Sequence, residues 1–336
     1  MAVTLERAAG WRVSHALRAA AVLLLATLAT GEARAAWPER TITIIVPFAP
    51  GGPNDLVGRV LASELAPVLG TNVIVENRAG AVGNIGIAAG ARAAPDGYTL
   101  VEVTNVVLIN PSVSKVTYDP LRDFAPVAYL GGAPNAIVTR PDSGIKSVAD
   151  LVAKAKAQPG RLTFATAGVG SVSHLAVELL KLRAGIDLTH VPYSGASPSL
   201  QAALAGITTV ASVNIAGLIN YVRSGALTAL VQTGSEHWPD LPNVPTMQEA
   251  GIPDAVVETT QMLLAPAGTP EPIIKRLTEA TRVILAKPEV REKLLKASFA
   301  VKYEDPATLH ARMVREIPKW KEVVERAGIR RGGGKK

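Results

Sequence analysis

The chain has 336 residues, of which 48% are apolar, 19% charged and 4% aromatic, and it contains no cysteine. That length fits two domains with a core large enough to fold unaided, and the missing cysteine excludes disulfides, iron–sulfur clusters, cysteine-ligated zinc, a thiol nucleophile and a lipid-anchored cysteine. The formal charge is +7, but residues 1–35 supply +2 of it (Arg7, Arg12, Arg18 and Arg34 against Glu6 and Glu32) and Arg330, Arg331, Lys335 and Lys336 supply +4, so the near-neutral remainder carries no nucleic-acid-binding face.

In chain order, Arg7, Arg12 and Arg18 precede a short apolar run at 19–30, and Ala33-Arg34-Ala35 completes a small-x-small pattern. Residues 1–35 therefore read as a secretory signal peptide cut before Ala36, which marks the remainder for export. The run is shorter than the roughly 20 residues that cross a bilayer. Ile42–Val46 is a β-branched strand, 47–53 a Pro/Gly turn, and 55–69 a helix with Leu56, Val60, Leu61, Leu65 and Val68 at helical spacing and Gly70 at its end. A strand at 73–75, a helix at 86–94, a turn at Pro95-Asp96-Gly97 and a strand at 98–104 follow. The pair Gly86 and Gly90 within that helix signals close packing.

Strands at 136–139, 162–165, 187–191, 208–213 and 227–232 then alternate with helices at 147–157, 174–184 and 197–205. Ser147 caps the first of these helices, with Asp150 three residues on. A strand at 258–264 and a Pro/Gly break at 265–270 lead into helices at 271–286, 288–298 and 306–327. This alternation predicts parallel α/β sheet in two similar units, and residues 330–336 read as a disordered basic tail.

Two loops could carry chemistry. The first, Pro47-Phe48-Ala49-Pro50-Gly51-Gly52-Pro53-Asn54-Asp55, joins a strand to a helix. Its glycines allow close backbone approach, and the helix N-terminus behind it offers free N–H groups to an anion. No lysine follows, so it is not a nucleotide P-loop. The second, Thr166-Ala167-Gly168-Val169-Gly170-Ser171-Val172-Ser173-His174, repeats the arrangement with hydroxyls added. Ser173 stands where a dinucleotide fingerprint needs its third glycine. His174 beside Ser171 and Ser173 reads either as a packing or capping residue or as the base of a nucleophile pair. The S-x-x-K matches at Ser112 and Ser143 lack their companion elements. The remaining histidines, 174, 190, 237 and 310, have no metal-ligand spacing, so neither metal nor cofactor is expected. Nothing in these loops demands bond-breaking, so the chain is not expected to be an enzyme.

The residues Trp37-Pro38, Ile44-Ile45-Val46-Pro47-Phe48-Ala49-Pro50-Gly51-Gly52, Val75-Glu76-Asn77-Arg78-Ala79-Gly80, Pro95-Asp96-Gly97-Tyr98, Asp123-Phe124-Ala125-Pro126-Val127, His190-Val191-Pro192-Tyr193, Leu241-Pro242-Asn243-Val244-Pro245-Thr246 and Pro266-Ala267-Gly268-Thr269-Pro270 resemble, in order and spacing, the Bug-type or tripartite tricarboxylate transporter solute-binding proteins. The resemblance implies a type II periplasmic binding protein: two α/β lobes joined by two crossing strands, the ligand cleft between them. Lobe 1 would comprise 36–138 and 257–329 and lobe 2 139–256, with crossings near 137–141 and 255–262. It further implies a small organic carboxylate held by hinge closure and delivered to a membrane permease with a small membrane subunit, the receptor itself being monomeric. Carried onto this sequence, the ligand-facing residues are Phe48, Ala49, Pro50, Gly51, Gly52 and Asp55 opposite Thr166, Gly168, Gly170, Ser171 and Ser173, with Asn105, Tyr193, Gly195 and Asn214 lining the cleft. Asp55 either caps its helix or meets a polar group of the ligand. Relatives carry aromatic-Asp-Asn where this chain has Ser212-Val213-Asn214, and Gly-Asp-Val where it has Gly206-Ile207-Thr208, which points to less polar acids. The alternatives are a receptor feeding a sensor and a hydrolase using Ser171 or Ser173 with His174.

Overall fold

The computed structural model describes residues 37–329, and of Ala216 only the backbone; the expected signal peptide, its cleavage site and the basic tail lie outside these residues. Strand β1 (Ile42–Val46) turns through the first glycine loop into helix α1 (Pro53–Leu69). Proline at the first helical position costs no hydrogen bond, and Gly70, at φ +73°, ends the helix in the left-handed conformation with its N–H on Ala66 O. Strands β2 (Val73–Asn77) and β3 (Thr99–Thr104) flank β1 in parallel, and helix α2 (Asn84–Ala91) connects them.

Helix α3 (Val106–Val113) follows β3 directly. Its first four residues are all apolar and buried and Pro111 interrupts its second half, so the sequence there carries no amphipathic period and predicts no helix.

Strand β4 (Phe124–Thr139) is 16 residues long, whereas the sequence predicts a strand only at 136–139. Its stretch 126–134 contains Pro126, Gly131, Gly132 and Pro134, which argue against a strand when read locally. The structure explains the two glycines. A Cβ on Gly131 would lie 2.0 Å from Ala300 O and one on Gly132 2.4 Å from Thr259 O, because neighbouring strands press on β4 from both edges. Those neighbours are β9 (Glu258–Pro266) and β10 (Ala300–Glu304), both antiparallel to it. From Asn135 onward β4 pairs instead with β7 (Val210–Asn214) and β8 (Thr228–Gln232). The exchange of partners falls between Pro134 and Asn135, ahead of 137–141.

Beyond β4 come α4 (Val148–Ala157), β5 (Thr163–Thr166), α5 (Val172–Ala184), β6 (Thr189–Pro192), α6 (Ala196–Leu204) and, after β7, α7 (Ile215–Arg223). Ser147 caps α4 as expected, accepting the Asp150 N–H. Strand β5 runs parallel to β6 and β7. The full order is β2-β1-β3-β9-β4-β7-β5-β6, with β8 and β10 on β4, so antiparallel β9 and β4 join one parallel α/β half to another. The chain ends in α8 (Glu271–Ala286), α9 (Pro288–Lys296), β10 and α10 (Pro306–Arg326), and α10 packs back on α3 and β4. No helix among the described residues is long and apolar enough to cross a membrane.

Candidate ligand-binding site

The first loop is held from behind. Asp55, in the first turn of α1 and 4% exposed, turns back so that Oδ2 accepts the Gly51 N–H and Arg59 Nε, each at 2.9 Å, while Oδ1 accepts Asn77 Nδ2 at 2.9 Å. The Asn77 amide also donates to Phe48 O at 3.1 Å. These bonds tie residues 48–51 to the end of β2. The Arg59 hydrogen bond, helped by Gly51 and Asn77, outweighs burial and holds the Asp55 carboxyl down at about 2. Gly51, at φ +82°, provides the left-handed turn that brings its N–H to Asp55.

The second loop is built the same way with other groups. Ser171 caps α5: its Oγ accepts the His174 N–H at 3.2 Å and donates to Gly168 O at 2.7 Å. Ser173 Oγ, 3.0 Å from Ser171 Oγ, therefore donates to it, and it accepts the Ala167 N–H at 3.3 Å. His174 Nδ1 accepts the Gly170 N–H at 3.1 Å, which leaves its proton on Nε2, 3.5 Å from Glu178 Oε1. Beneath the loop His190 stacks on His174 with centroids 3.8 Å apart and on Phe164 at 4.7 Å. Its Nε2 meets Thr166 Oγ1 at 2.7 Å. Burial lowers the His190 pKa to about 4, so its ring is neutral at neutral pH. The serine hydroxyls are thus bonded to each other and to backbone, and the His174 ring faces Gly170 and Glu178. A serine–histidine nucleophile pair is not assembled here.

A cavity of about 220 Å³ lies against both loops. Phe48 and Asn54 enter its wall from the first loop and α1, and Ala167, Ser171, Val172 and Ser173 from the second. Thr104, Val106, Val82, Thr259, Asn135, Ser212, Val213, Asn214 and Ala196 complete it. None of these side chains is charged. Asn135 and Asn214 face each other across the β4–β7 ladder, and Ser212 lies two residues along on the same face. Asn135 Nδ2 and Ser212 Oγ are buried without a hydrogen-bond partner. Gln261 Nε2 fixes the Asn54 amide by donating to its Oδ1 at 2.7 Å.

Of the residues singled out from sequence, Phe48, Ser171, Ser173 and Asn214 stand in this wall. Ala49, Pro50, Gly51 and Gly52 form the loop beside it. Gly168 and Gly170, at φ +127° and +74°, shape the second loop, and Thr166 supports it from below. Tyr193 bonds Thr166 O through its N–H, and Gly195 immediately precedes the wall residue Ala196. Asp55 braces the first loop from outside the wall. Asn105 lies apart: its amide donates to Glu258 O at 3.0 Å and it borders a different cavity. Sequence reading missed Asn54, Thr104, Asn135, Ser212 as a wall residue, and Thr259. Asn135 offered one signal, an amide inside a long apolar run.

Residues 57–329 match the family described as the tripartite tricarboxylate transporter family receptor. The chain is similar to Protein BugT of Bordetella pertussis, 35% identical over 297 residues that cover 88% of this chain and 91% of that one. Among solved structures it is similar to MatC (Rpa3494) from Rhodopseudomonas palustris with bound malate, 35% identical with a TM-score of 0.70 over 86% of this chain and 100% of that one. It is likewise similar to R. palustris Rpa4515 with adipate, 31% identical with a TM-score of 0.74 over 87% and 98%. The chain belongs to the tripartite tricarboxylate transporter receptor family, and its fold is that of these periplasmic binding proteins.

Proposed function

We propose that this member of the tripartite tricarboxylate transporter receptors captures a small organic dicarboxylate with an apolar middle in the periplasm, by hinge closure, and hands it to a membrane permease with a small membrane subunit. The observation that carries this reading is the cavity wall itself. It holds no charged side chain but does hold Asn135 Nδ2 and Ser212 Oγ with unmet hydrogen bonds, beside the N-termini of α1 and α5. Neutral donors and two helix N-termini suit an anion without an arginine. In the first loop the Ala49 and Gly52 N–H groups, unlike those of Gly51, Gly168 and Gly170, are not taken by Asp55, Thr166 or His174 and would hold one carboxylate, with Asn135, Ser212 and Asn214 holding the other. Val82, Val106, Val172 and Val213 line the space between. Val213 stands where relatives carry aspartate, which favours an acid of the adipate kind over a hydroxylated one such as malate. The lobes would be 36–138 with 257–329, and 139–256.

Thermal unfolding of the purified protein against carboxylates, amino acids and neutral sugars tests the reading. An apolar diacid at 100 times its Kd should add about 2.7 kcal/mol and exceed malate in effect. Ser212→Ala and Asn135→Ala should each weaken that binding by roughly tenfold or more, the worth of a hydrogen bond to a charged group. No response to any carboxylate, or a response confined to amines or sugars, overturns it.

A further inference from the structure

The strands that wall the ligand cavity wall a second one on their other face. Thr104 and Thr259 line the first cavity and their successors Asn105 and Thr260 the second, Thr259 and Thr260 by alternation along β9 and Asn105 where the chain leaves β3 for α3. The second cavity, about 340 Å³, is enclosed by α10, by Arg183 at the end of α5 and by the segment 254–260 that runs into β9. In its wall, Asn105 and Thr260 are 1% and 4% exposed, and Asn105 Oδ1 and Thr260 Oγ1 have no hydrogen-bond partner. The Asn105 amide nitrogen is committed to Glu258 O, so what remains unmet there is an acceptor.

The charges around this space do not cancel. Arg312 stacks on Tyr129 at 4.4 Å and pairs with Glu304 and with Glu316, the latter at 3.2 Å, so these groups satisfy one another. The Glu258 carboxylate is turned toward the Ser235 N–H at 3.3 Å. Arg183, Arg315 and Lys319 are left against Asp254 and the one negative charge that Glu304 and Glu316 carry beyond Arg312, which leaves one cation in surplus. Lys319 Nζ uses one hydrogen on Val256 O at 2.8 Å and keeps two. Burial holds its ammonium below the usual lysine range. Arg183 and Arg315 push the same way, against the attraction of Glu316 and Asp254, which gathers all five charges around one space.

We propose that this cavity is a second binding site, for a small hydroxylated anion of the phosphate-monoester or hydroxycarboxylate kind. The anionic group sits on Arg183, Arg315 and Lys319, and a hydroxyl donates to Asn105 Oδ1. An occupant touches α10, α5 and the 254–260 segment at once, so it also bears on how the parallel halves are held around the first cavity.

Calorimetric titration of the purified protein with glycerol 3-phosphate and with glycerate, beside glycerol and inorganic phosphate, tests this. One of the two hydroxylated anions should bind more tightly than either control, and which one binds identifies the head group. Binding should fall about tenfold or more in Arg183→Gln/Arg315→Gln, exposed residues whose loss leaves the fold intact, and persist in Ser212→Ala. Carboxylate capture at the first cavity should survive the double variant. Absence of binding at millimolar concentration, affinity unchanged in the double variant, or loss in Ser212→Ala instead would overturn the proposal.

Discussion

Glu102 stands in the middle of β3, wholly buried, and neither carboxyl oxygen has a hydrogen-bond partner. Burial pushes its pKa well above the ordinary 4.5, and the nearby Asp55 charge adds to the rise. The contrast between these two carboxyls is set by donors: three face Asp55 and none faces Glu102. Below pH 4.5 Glu102 is protonated folded or unfolded and costs nothing differential. Above it the unfolded chain releases the proton while the folded chain keeps it, so stability falls by about 1.4 kcal/mol per pH unit until the folded group also titrates. Glu102→Gln removes that term. Urea unfolding at pH 5 and pH 8 should therefore show the variant gaining on the parent as pH rises; a constant difference would mean that Glu102 is ionised in the fold. Asp55 shows what sequence could and could not tell at this scale. Its proximity to the glycine loop was legible, and Arg59, four residues on in the same helix, lay within the reach of sequence spacing, but its partner Asn77 became evident only when β2 was placed beside β1.

Among elements, α2 is the clearest case of sequence spacing turned into contact. Gly86 and Gly90 form its packing face: a Cβ on Gly86 would lie 2.7 Å from Arg78 O and 2.9 Å from Pro47 Cα, and one on Gly90 2.1 Å from Val101 Cγ2. The neighbours of Gly86 include backbone and cannot swing away. Gly86→Ala should accordingly cost about 1–3 kcal/mol and displace Pro47, the start of the first loop, weakening carboxylate binding as well. Unchanged thermal midpoint and affinity would show that the loop absorbs the shift. Helices with a solvent side, such as α1, α8 and α10, declare themselves by their 3.6-residue period. Elements buried all round do not. That is why α3 and the first half of β4 were invisible in the sequence. Helix α7 and strand β10 were also missed; β10 is short and its pairing with β4 bridges 168 residues from Gly132 to Ala300.

At the scale of the molecule, legibility divides along the same line. The glycine and serine loops were found because their chemistry is local. The wall residues Asn135, Ser212 and Thr259 were not, because only the order β9-β4-β7 brings three distant segments to one face. If the halves close on the ligand as proposed, that order also locates the hinge. Antiparallel β9 and β4 join the two halves, and Gly132, pressed against Thr259 O, lies three residues before Asn135, so the joint and the cavity wall share residues. On the other side, the second loop already sits against α3: a Cβ on Gly170 would lie 3.1 Å from Val113 Cγ1. Under the proposed closure a ligand spanning both loops would gain contacts as the halves approach, and its differential affinity for that arrangement is what would drive the motion. Small-angle scattering should then record a smaller radius of gyration when the carboxylate that raises the melting temperature is added. The change should be absent with an acid that leaves the melting temperature alone. A ligand that stabilises without compaction would mean that the cavity is preformed. In that case the delivery step would need a permease that recognises the bound acid itself rather than a closed receptor.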